Sequence, residues 1–292
     1  MKSLGPEHPA MPQKSIQLCR EGAELNRSCR FRSGNVIHLP DIGKVIVAGD
    51  LHGHRRNFER IQKFADLGNN PWTHVVLQEI IHGGPEDDYG GCLSWQLLFD
   101  AIRYKIRFPD QVHILLGNHD TAVISNSSVL KSGKEMNRAM QAAMRRQFGQ
   151  HYDSVYAAMI EYLLSQPLVV RCPNRIWISH SLPADDYLET FDLSIFNRPY
   201  TMEDIERPNP VYLLTWGRRH SENTLLRLGQ MLDADIFILG HQPQETGWSM
   251  GGSNTLIIAS EHAYGCILEF DLSKTYTASD LASHIIPLGT IE

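Results

Sequence analysis

Three stretches of this 292-residue chain place acidic, amide and imidazole side chains directly after an apolar run. Lys44-Val-Ile-Val-Ala-Gly49 leads into Asp50-Leu-His52-Gly53-His54, Val75-Val-Leu-Gln78 into Glu79, and Val112-His-Ile-Leu-Leu-Gly117 into Asn118-His119-Asp120. Two later runs end the same way, Arg175-Ile-Trp-Ile-Ser179 in His180 and Asp235-Ile-Phe-Ile-Leu-Gly240 in His241. Carboxylates, an amide and several imidazoles make a mixed oxygen and nitrogen donor set suited to Mn, Fe, Zn or Co. Asp50 and His52, two apart on an extended strand end, face the same side and can hold one ion together. The donors exceed the needs of a single ion. Glu79, read as the only carboxylate left at a strand end, is placed to bridge a second. Two cations about 3.5–4 Å apart would clamp a phosphoryl oxygen and activate a bridging hydroxide, which is phosphoester hydrolysis.

These residues meet only if the elements carrying them converge. Short runs rich in β-branched residues predict strands at 36–39, 44–49, 73–78, 111–117, 168–172, 175–179, 235–240, 255–259 and 266–271. Between them, Phe58, Ile61, Phe64 and Ala65 mark one helical face, 93–106 reads as a second helix, and Leu225, Leu226, Leu228 and Met231 mark another. Alternating strands and helices predict stacked α/β layers, whose strand carboxyl ends line one ligand-binding edge. Residues 121–167 form a long excursion with two helices, marked by Met140, Met144 and Phe148 and then by Val155, Met159, Tyr162 and Leu163. Such an insertion is expected to cover a site. Gly251-Gly252 reads as a tight turn before a final strand pair. Residues 1–33 are polar, with Pro6, Pro9 and Pro12 and no sustained periodicity, and are expected to form a mobile tail or surface strap. Residues 34–292 are then a single domain.

Composition narrows the class. Hydrophobic residues at 42%, charged residues at 21%, 15 Pro and 22 Gly describe a globular chain and exclude collagen-like, coiled-coil and wholly disordered ones. No window approaches the run of apolar residues that spans a bilayer, and the start MKSLGPEHPAMPQK lacks a secretion-type apolar stretch, so a soluble, cytoplasmic protein is expected. A net charge of -6 offers no bulk attraction to nucleic acid or an anionic membrane, so an anionic substrate must be caught locally. Five cysteines, odd in number and without a CxxC pair, predict reduced, buried thiols.

The order of these motifs over residues 44–271 resembles that of the calcineurin-like metallophosphoesterases, which include serine/threonine protein phosphatases and symmetrical dinucleoside polyphosphate hydrolases. The first motif stands as Gly49-Asp50-Leu51-His52-Gly53 and the third as Gly117-Asn118-His119-Asp120. Single histidines follow in Ser179-His180-Ser181 and Gly240-His241, and Leu213-Leu214-Thr-Trp216-Gly-Arg218-Arg219 is similar to the Leu-Trp-x-Arg segment of the phosphatase-like branch. The expected fold is a four-layer α/β/β/α sandwich. The resemblance implies one ion on Asp50, His52 and bridging Glu79, and a second on Glu79, Asn118, His180 and His241. His119 would be the general acid, with Asp120 beside it either to hold its ring or to serve as a cap, and Arg218 the phosphate-binding arginine. Substrates would be a phosphorylated small molecule, a nucleotide or a phosphoprotein. A phosphomonoester is favoured, with a dinucleoside polyphosphate as the alternative.

The second motif departs from the family. Where Gly-Asp-x-x-Asp-Arg-Gly is usual, the chain has Gln78-Glu79-Ile80-Ile81-His82-Gly83-Gly84, and Leu116 stands where an arginine often precedes Gly-Asn-His. Arg55, Arg56, Arg218 and Arg219 are the available replacement cations. His82 is open to three roles: a phosphate contact, an altered proton partner, or an inert loop residue. A catalytically impaired metal- or phosphate-binding module therefore stands as a further alternative.

Overall fold

The computed structural model describes residues 11–131 and 133–292. Valine and isoleucine runs set its centre, because β-branched side chains pack well on a pleated surface. Strands β3 (Lys44–Asp50), β4 (Thr73–Gln78) and β5 (Val112–Leu115) pair in parallel. β13 (Cys266–Asp271) and β14 (Ile285–Pro287) add antiparallel, giving a five-stranded sheet in the order β14-β13-β3-β4-β5. A seven-stranded sheet runs β1 (Arg32–Ser33), β2 (Val36–His38), β8 (Val169–Arg171), β9 (Ile176–Ser179), β10 (Ile236–Leu239), β12 (Thr255–Ile258), β11 (Trp248–Gly252). A small hairpin of β6 (Leu130–Lys131) and β7 (Lys134–Glu135) stands apart.

The period of two along each strand makes the layers. Val45, Val47, Val76 and Leu115 from one sheet meet Val170, Ile176, Ile178, Ile236, Ile238, Leu256 and Ile258 from the other in one core between the sheets. Their neighbours Ile46, Ala48, Val75, Leu77, Ile114, Trp177, Phe237, Leu239 and Ile257 turn the opposite way and join a second core with the helices. Both faces of each sheet are therefore buried, which explains why the strands read as continuous apolar runs. The α-helices among the described residues are α1 (Pro12–Arg27), α2 (Arg55–Ala65), α3 (Ser94–Arg107), α4 (Asn118–Ile124), α5 (Met136–Phe148), α6 (Tyr152–Leu163), α7 (Met202–Ile205), α8 (Pro210–Trp216), α9 (Glu222–Leu232) and α10 (Ala278–Ala282). The molecule is an α/β/β/α sandwich.

At the carboxyl edge of the strands the two sheets close on each other. Asp50 bridges to Ala259, and the Ser260 N–H donates to the Asp50 carbonyl at 3.0 Å. Gly49 marks the contact: a Cβ there would stand 1.8 Å from the Ile258 carbonyl oxygen, so no larger residue fits.

Part of the expected N-terminal tail is ordered helix. α1 starts with Pro12, whose missing N–H costs nothing in a first turn. It buries Ser15, Cys19, Gly22, Ala23 and Asn26, packing on α3 and α6. Small side chains make this contact, so no stripe of large apolar residues announces it in the sequence. Residues 1–10, with Pro6 and Pro9, lie outside the described residues. The excursion after β5 holds the two expected helices as α5 and α6, with the β6–β7 hairpin before them. Its Lys134 pairs with Glu86 at 2.8 Å and its Arg146 Nε donates to Asp87 at 3.0 Å, tethering the loop between β4 and α3. Gly251-Gly252 is not the turn: both lie in β11, where the register shifts, and the chain reverses at Ser253-Asn254. All five cysteines are buried and unpaired. Among the described residues no helix is long and apolar enough to cross a membrane.

Candidate metal centre

Strands that stop at this edge hand over polar side chains. β3 ends in Asp50, with His52 two residues on; β4 is followed by Glu79, β9 by His180 and β10 by His241, and β5 leads through Gly117 into α4, whose first residues are Asn118 and His119. Turning back over the edge demands unusual backbone. His52, Glu79, His82 and His241 have φ of 42°, 39°, 85° and 66°, four of the eight positive-φ non-glycine residues among those described. Each such residue costs on the order of 1 kcal/mol or more, a strain characteristic of functional edges. Gly117 is forced too: a Cβ would lie 2.6 Å from Glu79 Oε1.

Glu79 sits at the centre, 1% exposed. Its Oε2 faces His52 Nε2 at 3.0 Å and His119 Nε2 at 3.9 Å. Its Oε1 faces His180 Nε2 at 3.5 Å and accepts the His119 backbone N–H at 2.7 Å. The two oxygens of one carboxylate thus look toward two different imidazole groups. Asp50 repeats the division, with Oδ2 3.9 Å from His52 Nε2 and Oδ1 3.7 Å from His180 Nδ1. On the second side, Asn118 Oδ1 lies 2.8 Å from His180 Nε2 and 2.7 Å from His241 Nδ1. Ligand atoms held about 2.1 Å from one ion stand roughly 3 Å from each other, close to these separations.

The electrostatics favour a cation. Burial, and then the charge of Glu261, push the Asp50 carboxyl up to about 7; burial and Asp50 push Glu79 well above the usual carboxylate range. Burial drives His180 well below its ordinary value, with His241 adding to it, and burial with the Arg218 guanidinium takes His241 down to about 3. His119 is held far below normal by burial and by His82 and His52. Carboxyls that resist ionising, beside imidazoles that resist protonation, form a pocket whose ligating forms need positive charge at its centre. Asn118 Nδ2, His119 Nδ1 and His180 Nδ1 are buried and make no hydrogen bond among the described residues. Clusters of His52, Glu79 and His119, of Asp50, Glu79 and His180, and of Asp50, His52 and Glu261 each gather ligand atoms within 4.8 Å of one another. The donor set fits a pair of cations.

The seven residues expected at the strand ends, Asp50, His52, Glu79, Asn118, His119, His180 and His241, therefore come together. His82 stacks on His119, ring centroids 3.3 Å apart and planes 13° from parallel. Asp120 accepts the Gly117 N–H at 2.9 Å and caps α4; His119 Nδ1 makes no hydrogen bond among the described residues, so Asp120 does not hold the His119 ring. Arg218 Nε donates to His241 Nε2 at 2.9 Å, which puts it at the centre's rim. Arg55 is instead committed to Asp100 on α3, and Arg219 is exposed. The reading of Glu79 as the last strand-end carboxylate is incomplete. Glu261, three residues past β12, faces His52 Nδ1 at 3.7 Å. Its signal was available, an acid shortly after an apolar strand, but Ala259 and Ser260 set it back from the strand end.

Comparisons with known proteins give the family and the fold. A sequence profile of the calcineurin-like phosphoesterases matches residues 43–245. The chain is similar to the Caenorhabditis elegans serine/threonine-protein phosphatase C23G10.1, 24% identical over 230 residues, covering 74% of this chain and 46% of that protein. It is also similar to the zinc-dependent endopolyphosphatase of Saccharomyces cerevisiae, 32% identical over 90 residues, 30% of this chain and 24% of that one. It spans less than half the length of either relative. A solved protein serine/threonine phosphatase from Saccharomyces cerevisiae superposes with a TM-score of 0.66 at 14% identity, covering 89% of this chain and 82% of that chain, and shares the fold.

Proposed function

Because the chain belongs to the calcineurin-like phosphoesterase family, we propose that it is a metal-dependent hydrolase of phosphomonoesters, with Asp50, His52 and Glu79 holding one cation and Glu79, Asn118, His180 and His241 a second. The observation that carries this reading is the split of the Glu79 carboxylate, Oε2 toward His52 at 3.0 Å and Oε1 toward His180 at 3.5 Å. Two cations held there would supply charge neutralisation for the phosphoryl oxygens and would lower the pKa of water. The protein's own part is placement. Arg218, exposed and anchored through His241, receives the phosphate from the solvent side. His119 gives its Nε2 proton to the departing oxygen. Burial and neighbouring imidazoles hold that ring neutral before substrate arrives. An incoming phosphate dianion raises its proton affinity, so the ring takes up a second proton from solvent as the phosphate binds, and it is this proton that the departing oxygen receives, leaving the ring neutral again. Its orientation rests on the backbone bond to Glu79 and the stack with His82 rather than on Asp120.

A second reading, cleavage of a P–O–P linkage, draws support from the similarity to an endopolyphosphatase and from Gly83 and Leu116 standing where phosphoprotein phosphatases carry arginine. One assay series decides between them. Protein reconstituted with Mn, Fe, Zn or Co is offered an aryl phosphate, a phosphopeptide, a dinucleoside polyphosphate and a polyphosphate chain at equal concentration. The monoester is expected to turn over fastest, and Asp50→Asn or Glu79→Gln to reduce it to background. Metal-independent turnover, or full activity in Asp50→Asn, contradicts the proposal; the polyphosphates turning over fastest selects the second reading.

A further inference from the structure

Glu261 belongs to none of the roles assigned so far, yet its segment is built with unusual care. Asn57, fully buried on α2, donates its side-chain amide to the Ser260 carbonyl at 2.7 Å and the His262 carbonyl at 2.9 Å, gripping both neighbours of Glu261. Ser260 is fixed in turn: its N–H reaches the Asp50 carbonyl at 3.0 Å, and its hydroxyl donates to the Cys266 carbonyl at 2.7 Å while accepting the Gly49 N–H at 3.1 Å. His262 Nε2 meets the Gln244 carbonyl at 2.8 Å. Glu261 is thus presented from a rigid support whose hydrogen bonds run back to the residue before Asp50 and to Asp50 itself.

What it is presented to is one particular atom. The two ring nitrogens of His52 face different carboxylates: Nε2 lies 3.0 Å from Glu79 Oε2 and 3.9 Å from Asp50 Oδ2, whereas Nδ1 lies 3.7 Å from Glu261 Oε1. A neutral imidazole carries its proton on one nitrogen and its lone pair on the other, and a carboxylate beside one nitrogen decides which. Resting on the metal-centre reading above, we propose that Glu261 is a positioning residue for His52. Its charge, 3.7 Å from Nδ1, holds the ring proton on that nitrogen, fixes the ring's orientation and leaves the Nε2 lone pair turned toward Asp50 and Glu79. The third carboxylate also adds negative charge on the His52 side.

The test reads ion binding rather than turnover. Wild type, Glu261→Ala and Glu261→Gln are stripped, checked for unchanged melting of the metal-free protein, and titrated with Mn by calorimetry. His52 is followed by nitrogen NMR of the zinc-loaded protein, with His52→Asn to assign the signals. Wild type is expected to take two ions with His52 protonated on Nδ1. Glu261→Ala is expected to bind one of the two about 10- to 100-fold more weakly, the usual effect of removing such a partner. Glu261→Gln, which keeps an acceptor for Nδ1–H, should fall between. Wild-type affinity for both ions in Glu261→Ala, outright loss of one ion in Glu261→Gln as for a direct ligand, or a proton on Nε2 in loaded wild type each overturns the proposal. Wild type failing to bind two ions removes the metal-centre reading itself.

Discussion

Single atoms decide the chemistry at this edge, and their tolerance is narrow. A Cβ on residue 117 would lie 2.6 Å from Glu79 Oε1, so Gly117→Ala must displace the carboxylate that divides the centre. A shift of about 1 Å in a catalytic group costs on the order of 100-fold, and turnover of an aryl phosphate by Gly117→Ala is expected to fall by at least that factor while the protein stays folded. Wild-type turnover in this variant would mean that Glu79 has no fixed position to defend. His119 invites a different measurement. An acid matters most when the leaving oxygen is basic, so His119→Asn should lose roughly 100- to 10,000-fold with an alkyl phosphate and distinctly less with a nitrophenyl ester. Equal losses on both would place His119 outside proton transfer. Most of this set was legible, because Asp50 with His52, and Asn118 with His119, lie in short segments whose spacing is itself chemical. His180 and His241 depended on their strands converging. Glu261 escaped notice because two residues separate it from its strand, and the His82 stack on His119 was illegible because the turn that brings those rings together has φ of 85° at a non-glycine residue.

At the scale of elements, strands were easier to read than the helix that opens the described chain. All nine strands expected from apolar runs exist, because a sheet covered on both faces writes an uninterrupted hydrophobic signal. α1 writes almost none. Its contact with α3 and α6 runs through Ser15, Cys19, Gly22 and Ala23, and close approach there is set by the absence of side chain rather than by its hydrophobicity. A Cβ on Gly22 would meet Ile102 Cγ2 at 2.6 Å and Tyr162 at 3.0 Å. Gly22→Val is therefore expected to destabilise the protein by about 1–3 kcal/mol through overpacking. The helix carries none of the site residues, so metal affinity and turnover at 25 °C should remain those of wild type. Thermal unfolding and the aryl phosphate assay, run on the same sample, separate the two effects. An unchanged melting temperature would show α1 to be a loose strap, as its composition suggests; lost turnover in a folded protein would tie it to the catalytic edge.

The whole molecule carries its clearest signature in how its stability responds to pH. Burial lifts Asp50 and Asp120 to about 7, and burial with the Asp50 charge lifts Glu79 well above its ordinary value. Unfolded, such carboxyls ionise near their ordinary values, so between about pH 4 and 7 the folded state binds more protons, and these groups make stability fall as pH rises. The buried histidines act in the opposite sense. Burial takes His74 down to about 4 and His241 to about 3, and His113, His119 and His180 lie far below their ordinary value. Below about pH 6.5 the unfolded chain protonates these rings while the folded one does not, so they make stability fall as pH drops. Five histidines outweigh three carboxyls on the acid side; just above the histidines' unfolded pKa the carboxyls still act, and the buried Lys105, taken down to about 8 by burial, opposes them only from about pH 8 upward. Chelated protein should therefore be most stable near pH 6.5 and lose stability through about pH 7. Bound cations favour the ionised carboxyls and the neutral imidazoles, so adding Mn should remove the alkaline decline and move the maximum upward. Melting temperatures from pH 5 to 9, with chelator and with Mn, measure this. A chelated protein whose melting temperature keeps climbing to pH 8, or whose profile Mn leaves unmoved, would mean that the carboxyls at this edge are not held in wait for positive charge.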